Sequence, residues 1–192
     1  SRGLGDVYKR QEYNYARVQE LLSQALSEKP DIIVLPETWN TGFHPSKDLI
    51  NISDRNGERT KALLSTFAKE HNVNIVGGSV AVAKEDLVFN TSYAYNREGK
   101  LVGEYSKMHG FSPAKEDQYF ASGTHTTHFE LDGIPCSTVI CYDIRFPELV
   151  RMAALSNTEL LFVPAQWPTM RLRHWQVSVS YTHLRAHETE AD

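Results

Sequence analysis

The run Ile32-Ile33-Val34-Leu35, closed by Pro36, constrains the fold of this 192-residue chain more than any other feature. It is continuous and rich in β-branched side chains, the pattern of a strand covered on both faces, and Pro36 ends the ladder. Directly before it, Val18, Leu21, Leu22, Ala25 and Leu26 recur at helical spacing with Glu20 and Glu28 on the outer side, which predicts an amphipathic helix over residues 13–28. A helix followed at once by a doubly covered strand belongs to a layered α/β fold. The rest of the chain repeats the alternation. Leu63, Leu64, Phe67 and Ala68 mark a second helix, and residues 73–83 a strand whose Gly77-Gly78 pair suggests a bulge or a close backbone approach. Residues 87–96 and 101–106 form a hairpin through Arg97-Glu98-Gly99-Lys100, and residues 127–131 and 136–141 form another through Asp132-Gly133. A helix after Pro147 leads to a strand at Leu160-Leu161-Phe162-Val163, and residues 168–177 read as a helix start. The expectation is one α/β domain, with a mixed sheet or sheets and helices outside.

The two ends stand apart. Residues 1–11 show no period, and residues 178–192 are polar with little to bury. Both resemble translated adapter or vector read-through, with ordinary frayed termini as the alternative, which leaves residues 12–177 as a partial domain, incomplete at both ends. A net charge of -4 offers no basic surface for nucleic acid or anionic membrane. No apolar run is long enough to span a bilayer and no signal-peptide pattern opens the chain, so the expected location is cytoplasmic. The two cysteines, Cys136 and Cys141, sit on one extended stretch, too far apart for a disulfide, which needs Cα atoms within about 7 Å. They read as free thiols.

Chemistry concentrates where strands end. Thr138-Val139-Ile140 delivers Cys141 and then breaks into charge at Asp143, with Pro147 opening a helix. A cysteine at such a strand-to-helix corner is exposed on a sharp turn with backbone N–H groups aimed toward it, as an acyl-transfer nucleophile requires. A buried, inert cysteine is the alternative. Glu37 follows Leu35-Pro36, and Lys107 follows the strand ending at Tyr105-Ser106. A thiol near its usual pKa of about 8.5 needs a base or a cation beside it at neutral pH. A carboxylate supplies the first and a lysine the second. Taken singly, each is as readily a cap or a solvated charge; taken together they are not. His109, His125 and His128 complete no familiar metal-ligand spacing, so no metal is expected.

These residues carry a resemblance. Leu35-Pro36-Glu37-Thr38-Trp39-Asn40-Thr41-Gly42-Phe43, Tyr105-Ser106-Lys107-Met108-His109 and Cys141-Tyr142-Asp143-Ile144-Arg145-Phe146-Pro147-Glu148 are similar, in sequence, order and separation, to the three signature blocks of the nitrilase superfamily of carbon–nitrogen hydrolases. The resemblance implies an α-β-β-α sandwich, with Glu37 as general base, Lys107 as stabiliser of the tetrahedral intermediate and Cys141 as nucleophile. Lys115-Glu116-Asp117 resembles the segment that supplies a second glutamate, which makes Glu116 its counterpart. No metal or organic cofactor is implied, and the full-length parent is expected to be a homo-oligomer. Asn40-Thr41-Gly42-Phe43 and Pro164-Ala165-Gln166-Trp167-Pro168, with Arg171 and His174-Trp175 beyond, are similar to the ω-amidase-like branch, which acts on small amides such as 2-oxoglutaramate and 2-oxosuccinamate; Phe43, Tyr142 and Trp167 are the candidates to wall the pocket. Nitriles and N-carbamoyl compounds are the rival substrates. A catalytically silent, poorly folding fragment of such an enzyme is the rival reading of the chain itself.

Overall fold

The structure, a computed structural model, describes residues 4–42 and 48–187, with side chains over residues 10–42 and 48–180. Helix α1 spans Leu4–Ala25 and runs into a 3-10 turn at Leu26–Glu28, so it starts well before the residue 13 that periodicity indicated. Its apolar stripe, Tyr15, Val18 and Leu22, packs with Leu64, Phe67 and Ala68 of α3 (Glu58–His71) against Ile33, Ile75, Val80, Val82, Tyr93 and Tyr95. Those last six residues belong to the larger of two sheets.

That sheet contains β1 (Ile32–Val34), β2 (Asp54–Arg55), β3 (Asn74–Val76), β4 (Val80–Lys84), β5 (Leu87–Tyr95) and β6 (Leu101–Ser106). Its order is β1-β3-β5-β4-β2, with β6 also paired to β5. β1 lies parallel to β3, whereas β5 is antiparallel to β3, β4 and β6. The single strand expected over residues 73–83 is therefore two, because Gly77-Gly78 turns the chain between β3 and β4. Gly78 sits at φ +62, and any Cβ there would be driven into the Pro36 carbonyl. A short helix α2 (Leu49–Ile52) and the two-residue β2 were not legible from periodicity. Two residues carry no period.

The smaller sheet has the order β7-β8-β9, from β7 (His128–Leu131), β8 (Ile134–Thr138) and β9 (Leu160–Phe162). β7 and β8 form the hairpin expected from Asp132-Gly133, and β9 runs parallel to β8 after the crossover helix α4 (Pro147–Leu155). Val76 and Ala94 of the larger sheet meet Phe129, Leu131, Cys136 and Phe162 of the smaller one to form the inter-sheet core. With that inner face occupied, α4 covers the outer one, where it packs against α5 (Leu172–His187). The layers are thus helix, sheet, sheet, helix, the α-β-β-α sandwich.

Candidate active site

Glu37, Lys107 and Cys141 each follow a strand, Glu116 lies on a turn, and the backbone around each explains its aim. Past β1, the Leu35 N–H donates to the Val76 carbonyl at 3.0 Å, the Ser79 N–H to the Pro36 carbonyl at 3.0 Å and the Thr38 N–H to Ser79 Oγ at 3.0 Å. These bonds stitch the segment after β1 to the Gly77-Gly78 turn and bury Glu37 completely. Past β6, the Lys107 N–H continues the ladder by donating to the Asn90 carbonyl at 2.8 Å, which points the lysine side chain inward. Glu116 opens a 3-10 turn, Glu116–Gln118, and is also buried.

The three charges meet. Lys107 Nζ lies 2.8 Å from Glu37 Oε1 and 2.9 Å from both carboxylate oxygens of Glu116. The remaining lone pairs are used as well: the Gln166 N–H donates to Glu37 Oε2 at 2.9 Å, the Phe111 N–H to Glu116 Oε2 at 2.6 Å, and Asn90 Nδ2 to Glu37 Oε1 at 3.1 Å. Buried charge is tolerated only when paired and hydrogen-bonded in this way. Burial works against the Lys107 ammonium, but Glu37 and Glu116 more than offset it and hold its pKa well above the ordinary lysine range. The lysine is a permanent cation.

Cys141 is 4% exposed and has a positive φ of 48. A non-glycine residue in that region costs about 1–3 kcal/mol and persists only where its surroundings enforce it. Here the enforcer is Asp143. Its carboxylate accepts from the Ile140 N–H at 3.1 Å and from the Tyr105 hydroxyl at 2.7 Å through Oδ2, and from the His109 N–H at 2.9 Å through Oδ1. His109 Nδ1 lies 2.9 Å from the same Oδ1, and the imidazole stacks on Phe146 at 3.6 Å between centroids. The corner differs in one respect from the expected strand-to-helix turn, since a 3-10 segment, Cys141–Arg145, intervenes before α4. Burial, then the charge of Glu37, pushes the Cys141 thiol well above its ordinary pKa, and Lys107 only partly opposes them. Burial and the neighbouring Glu37 charge therefore favour the neutral thiol over the thiolate.

Cys141 opens onto a cleft of about 240 Å³, walled by Phe111, Tyr142, Gln166, Trp167 and Arg171. Of the three aromatics proposed to wall a pocket, Tyr142 and Trp167 line this cleft, while Phe43 falls outside the described residues. The three histidines weighed as metal ligands are engaged separately: His109 with Asp143, His125 with Thr124 and His128 with Ser137.

With that geometry in view, comparison with known proteins is decisive: residues 1–188 match the sequence pattern of the family described as carbon-nitrogen hydrolase. The chain belongs to that family. The match takes in both end stretches set aside above. Among curated proteins, a 2-oxoglutaramate amidase of Bacillus subtilis is 41% identical over 157 residues, which is 82% of this chain and 60% of that protein. A protein of Staphylococcus aureus named hydrolase in agr operon is 34% identical over 164 residues, 84% of this chain and 62% of that protein. This carbon–nitrogen hydrolase thus spans about 60% of the length of the curated relatives it matches. Among solved structures, Saccharomyces cerevisiae Nit3, a member of branch 10 of the nitrilase superfamily, superposes with a TM-score of 0.79 at 27% identity, over 90% of this chain and 66% of that one.

Sequence reasoning missed several residues of the site of this hydrolase. Asn90 lies in the middle of β5, and its side chain bridges toward both glutamates, at 3.1 Å to Glu37 and 3.4 Å to Glu116. An asparagine inside a strand of otherwise apolar and hydroxyl side chains was the available signal. Asp143, Tyr105 and His109 were inside quoted blocks, but only the tertiary contacts show that they act on one another. Arg171, named above only for the branch resemblance, lines the cleft beside the nucleophile.

Proposed function

We propose that this hydrolase cleaves the carbon–nitrogen bond of a small amide, releasing ammonia and a carboxylic acid through a thioester on Cys141, with 2-oxoglutaramate or 2-oxosuccinamate as the type of substrate. The observation that carries the reading is a buried lysine clamped by two carboxylates beside a cysteine that opens onto a small cleft. The names of the relatives support the substrate type.

Glu37, Lys107, Cys141 and Glu116 then have distinct tasks. Because the thiol rests neutral, attack needs a base: Glu37 takes the Sγ proton as the Sγ–C bond forms. The carbonyl oxygen becomes an oxyanion facing Lys107 Nζ and the Tyr142 N–H, which sits in the first turn of the 3-10 segment without an intrahelical acceptor. Collapse breaks the C–N bond, and Glu37 returns its proton to the leaving nitrogen, so ammonia departs. Water then attacks the thioester carbon and gives a proton to Glu37, which passes it to the departing thiolate; the carboxylic acid leaves and the enzyme is restored. Glu116 keeps Lys107 charged and fixed, since a cation is costly in a water-poor site unless paired.

Residues 12–177 carry this chemistry, in a cytoplasmic enzyme whose full-length parent is a homo-oligomer; among the described residues no helix is long and apolar enough to cross a membrane. The test is ammonia release from 2-oxoglutaramate, a nitrile and an N-carbamoyl amino acid. Release from the amide that vanishes in Cys141→Ala, with a mass shift at Cys141 equal to the acyl group, is the expected result. Turnover that survives Cys141→Ala would overturn it.

A further inference from the structure

The cleft beside Cys141 contains a cation, Arg171, that meets no anion among the described residues. Arg171 ends a 3-10 turn, Thr169–Arg171, directly before α5, and its backbone is held on both sides: its N–H donates to the Pro168 carbonyl at 2.8 Å and its carbonyl accepts from Trp167 Nε1 at 2.8 Å. The guanidinium lies over the ring of Phe111, 5.1 Å from its centroid. Both partners, Trp167 and Phe111, are walls of the cleft. Among the described residues Arg171 forms no ion pair. The acids of the site are spoken for. Glu37 and Glu116 hold Lys107, and Asp143 is saturated by Ile140, Tyr105 and His109.

A half-buried guanidinium on an aromatic wall presents a planar fork of donors suited to a carboxylate. The cleft is narrow, closed in by Phe111, Tyr142, Trp167 and Pro168 around Cys141, so an anion inside it belongs to a short molecule. We propose that Arg171 is the specificity residue that grips a carboxylate at the end of the substrate opposite the scissile amide, so that the site selects short ω-amides of carboxylic acids over neutral amides of equal length. Arg171 touches substrate but no reacting atom. The proposal rests on the amidase reading above and adds the residue that reads the far end. It also explains the aromatic walls, which exclude water from the ion pair and pack the short carbon chain between its two ends.

The experiment compares this chain with its Arg171→Met and Arg171→Lys variants in two assays. One is ammonia release from 2-oxoglutaramate against neutral pentanamide. The other needs no turnover: it measures how well 2-oxoglutarate protects Cys141 from iodoacetamide, read by mass on the labelled peptide. Charge-assisted hydrogen bonds predict that Arg171→Met raises both the KM for 2-oxoglutaramate and the protecting concentration of 2-oxoglutarate roughly tenfold or more, with a much smaller loss of kcat/KM for pentanamide and Arg171→Lys intermediate. Equal losses on both amides, or unchanged protection in Arg171→Met, overturns the assignment. Turnover of both amides without dependence on Arg171 sinks this proposal alone. Absence of Cys141-dependent turnover of either amide sinks the amidase reading, and protection by 2-oxoglutarate still decides the role of Arg171.

Discussion

Asp143 makes the Cys141 corner possible. Its carboxylate is fully buried and bridges the backbone before the nucleophile to Tyr105 and His109, which flank Lys107 in sequence. Nucleophile and cation are thereby set in register by one side chain. Asp143→Asn replaces an acceptor oxygen with a donor that faces other donors. Leaving such groups unpaired costs about 1–3 kcal/mol, so Tm should fall; kcat should fall tenfold or more with KM little changed. A variant with wild-type kcat would remove Asp143 from the positioning role. Glu116 makes a sharper prediction about pH. Burial lowers the Lys107 pKa, but Glu37 and then Glu116 raise it more, so Glu116→Gln brings it down, and kcat/KM of the variant should fall at alkaline pH where the unsubstituted chain holds its activity. Identical alkaline behaviour in the two would mean that Glu116 does not keep Lys107 charged. The cysteines differ by access as well as by partners. Cys136 is 1% exposed in the inter-sheet core and Cys141 opens on the cleft, so iodoacetamide should label Cys141 in folded protein and leave Cys136 untouched; equal labelling would contradict the fold around them.

At the scale of elements, the site is built where strand ends are stitched to their neighbours, and two glycines mark the tightest stitches. At Gly78 a Cβ would strike the Pro36 carbonyl, one residue from Glu37; at Gly123, whose N–H donates to the Lys107 carbonyl at 2.8 Å, it would strike the Ser106 carbonyl. Gly78→Ala also carries the cost of a positive φ, so it should lower Tm and kcat together. Gly123→Ala has no such φ penalty, and its effect should come through Lys107. A Gly123→Ala enzyme with unchanged kcat would show that the end of β6 yields without moving the lysine. Most elements were legible in the sequence because their periods are long: α3, the β5–β6 hairpin and α4 lie where their apolar spacing placed them. β2 was not, because two residues carry no period and its pairing with β4 is decided by the sheet. The split of residues 73–83 into β3 and β4 was half legible. Gly77-Gly78 announced a close approach, but nothing in the sequence said that the approaching backbone was that of Pro36.

For the whole molecule, the sandwich buries Tyr15, Tyr93, Tyr95 and Tyr105 in their neutral forms. Tyr95 is pushed up to about 12, chiefly by burial and then by the charge of Glu104, and Tyr15, Tyr93 and Tyr105 are pushed higher still, each chiefly by burial. An unfolded chain releases these phenolic protons near the ordinary tyrosine pKa of 10.0, while the folded chain keeps them. The unfolded state then binds fewer protons, so stability is fully present below pH 10.0 and is lost as pH rises toward about 12. Thermal melts followed by circular dichroism should show a steady Tm from pH 7 to about 9 and a marked drop by about 11. A Tm at pH 11 equal to that at pH 8 would sink this account. By itself, the sequence determined the layered α/β fold and the placing of Glu37, Lys107 and Cys141 just past three strands, because covered strands, hairpin turns and strand-terminal polar residues are local patterns. Only the tertiary structure decided that Lys107 is shared by two carboxylates, that Asn90 and Asp143 belong to the site, and that Arg171 lines the cleft beside Cys141. Those facts join residues distant in the chain, and such contacts exist only once the two sheets have packed.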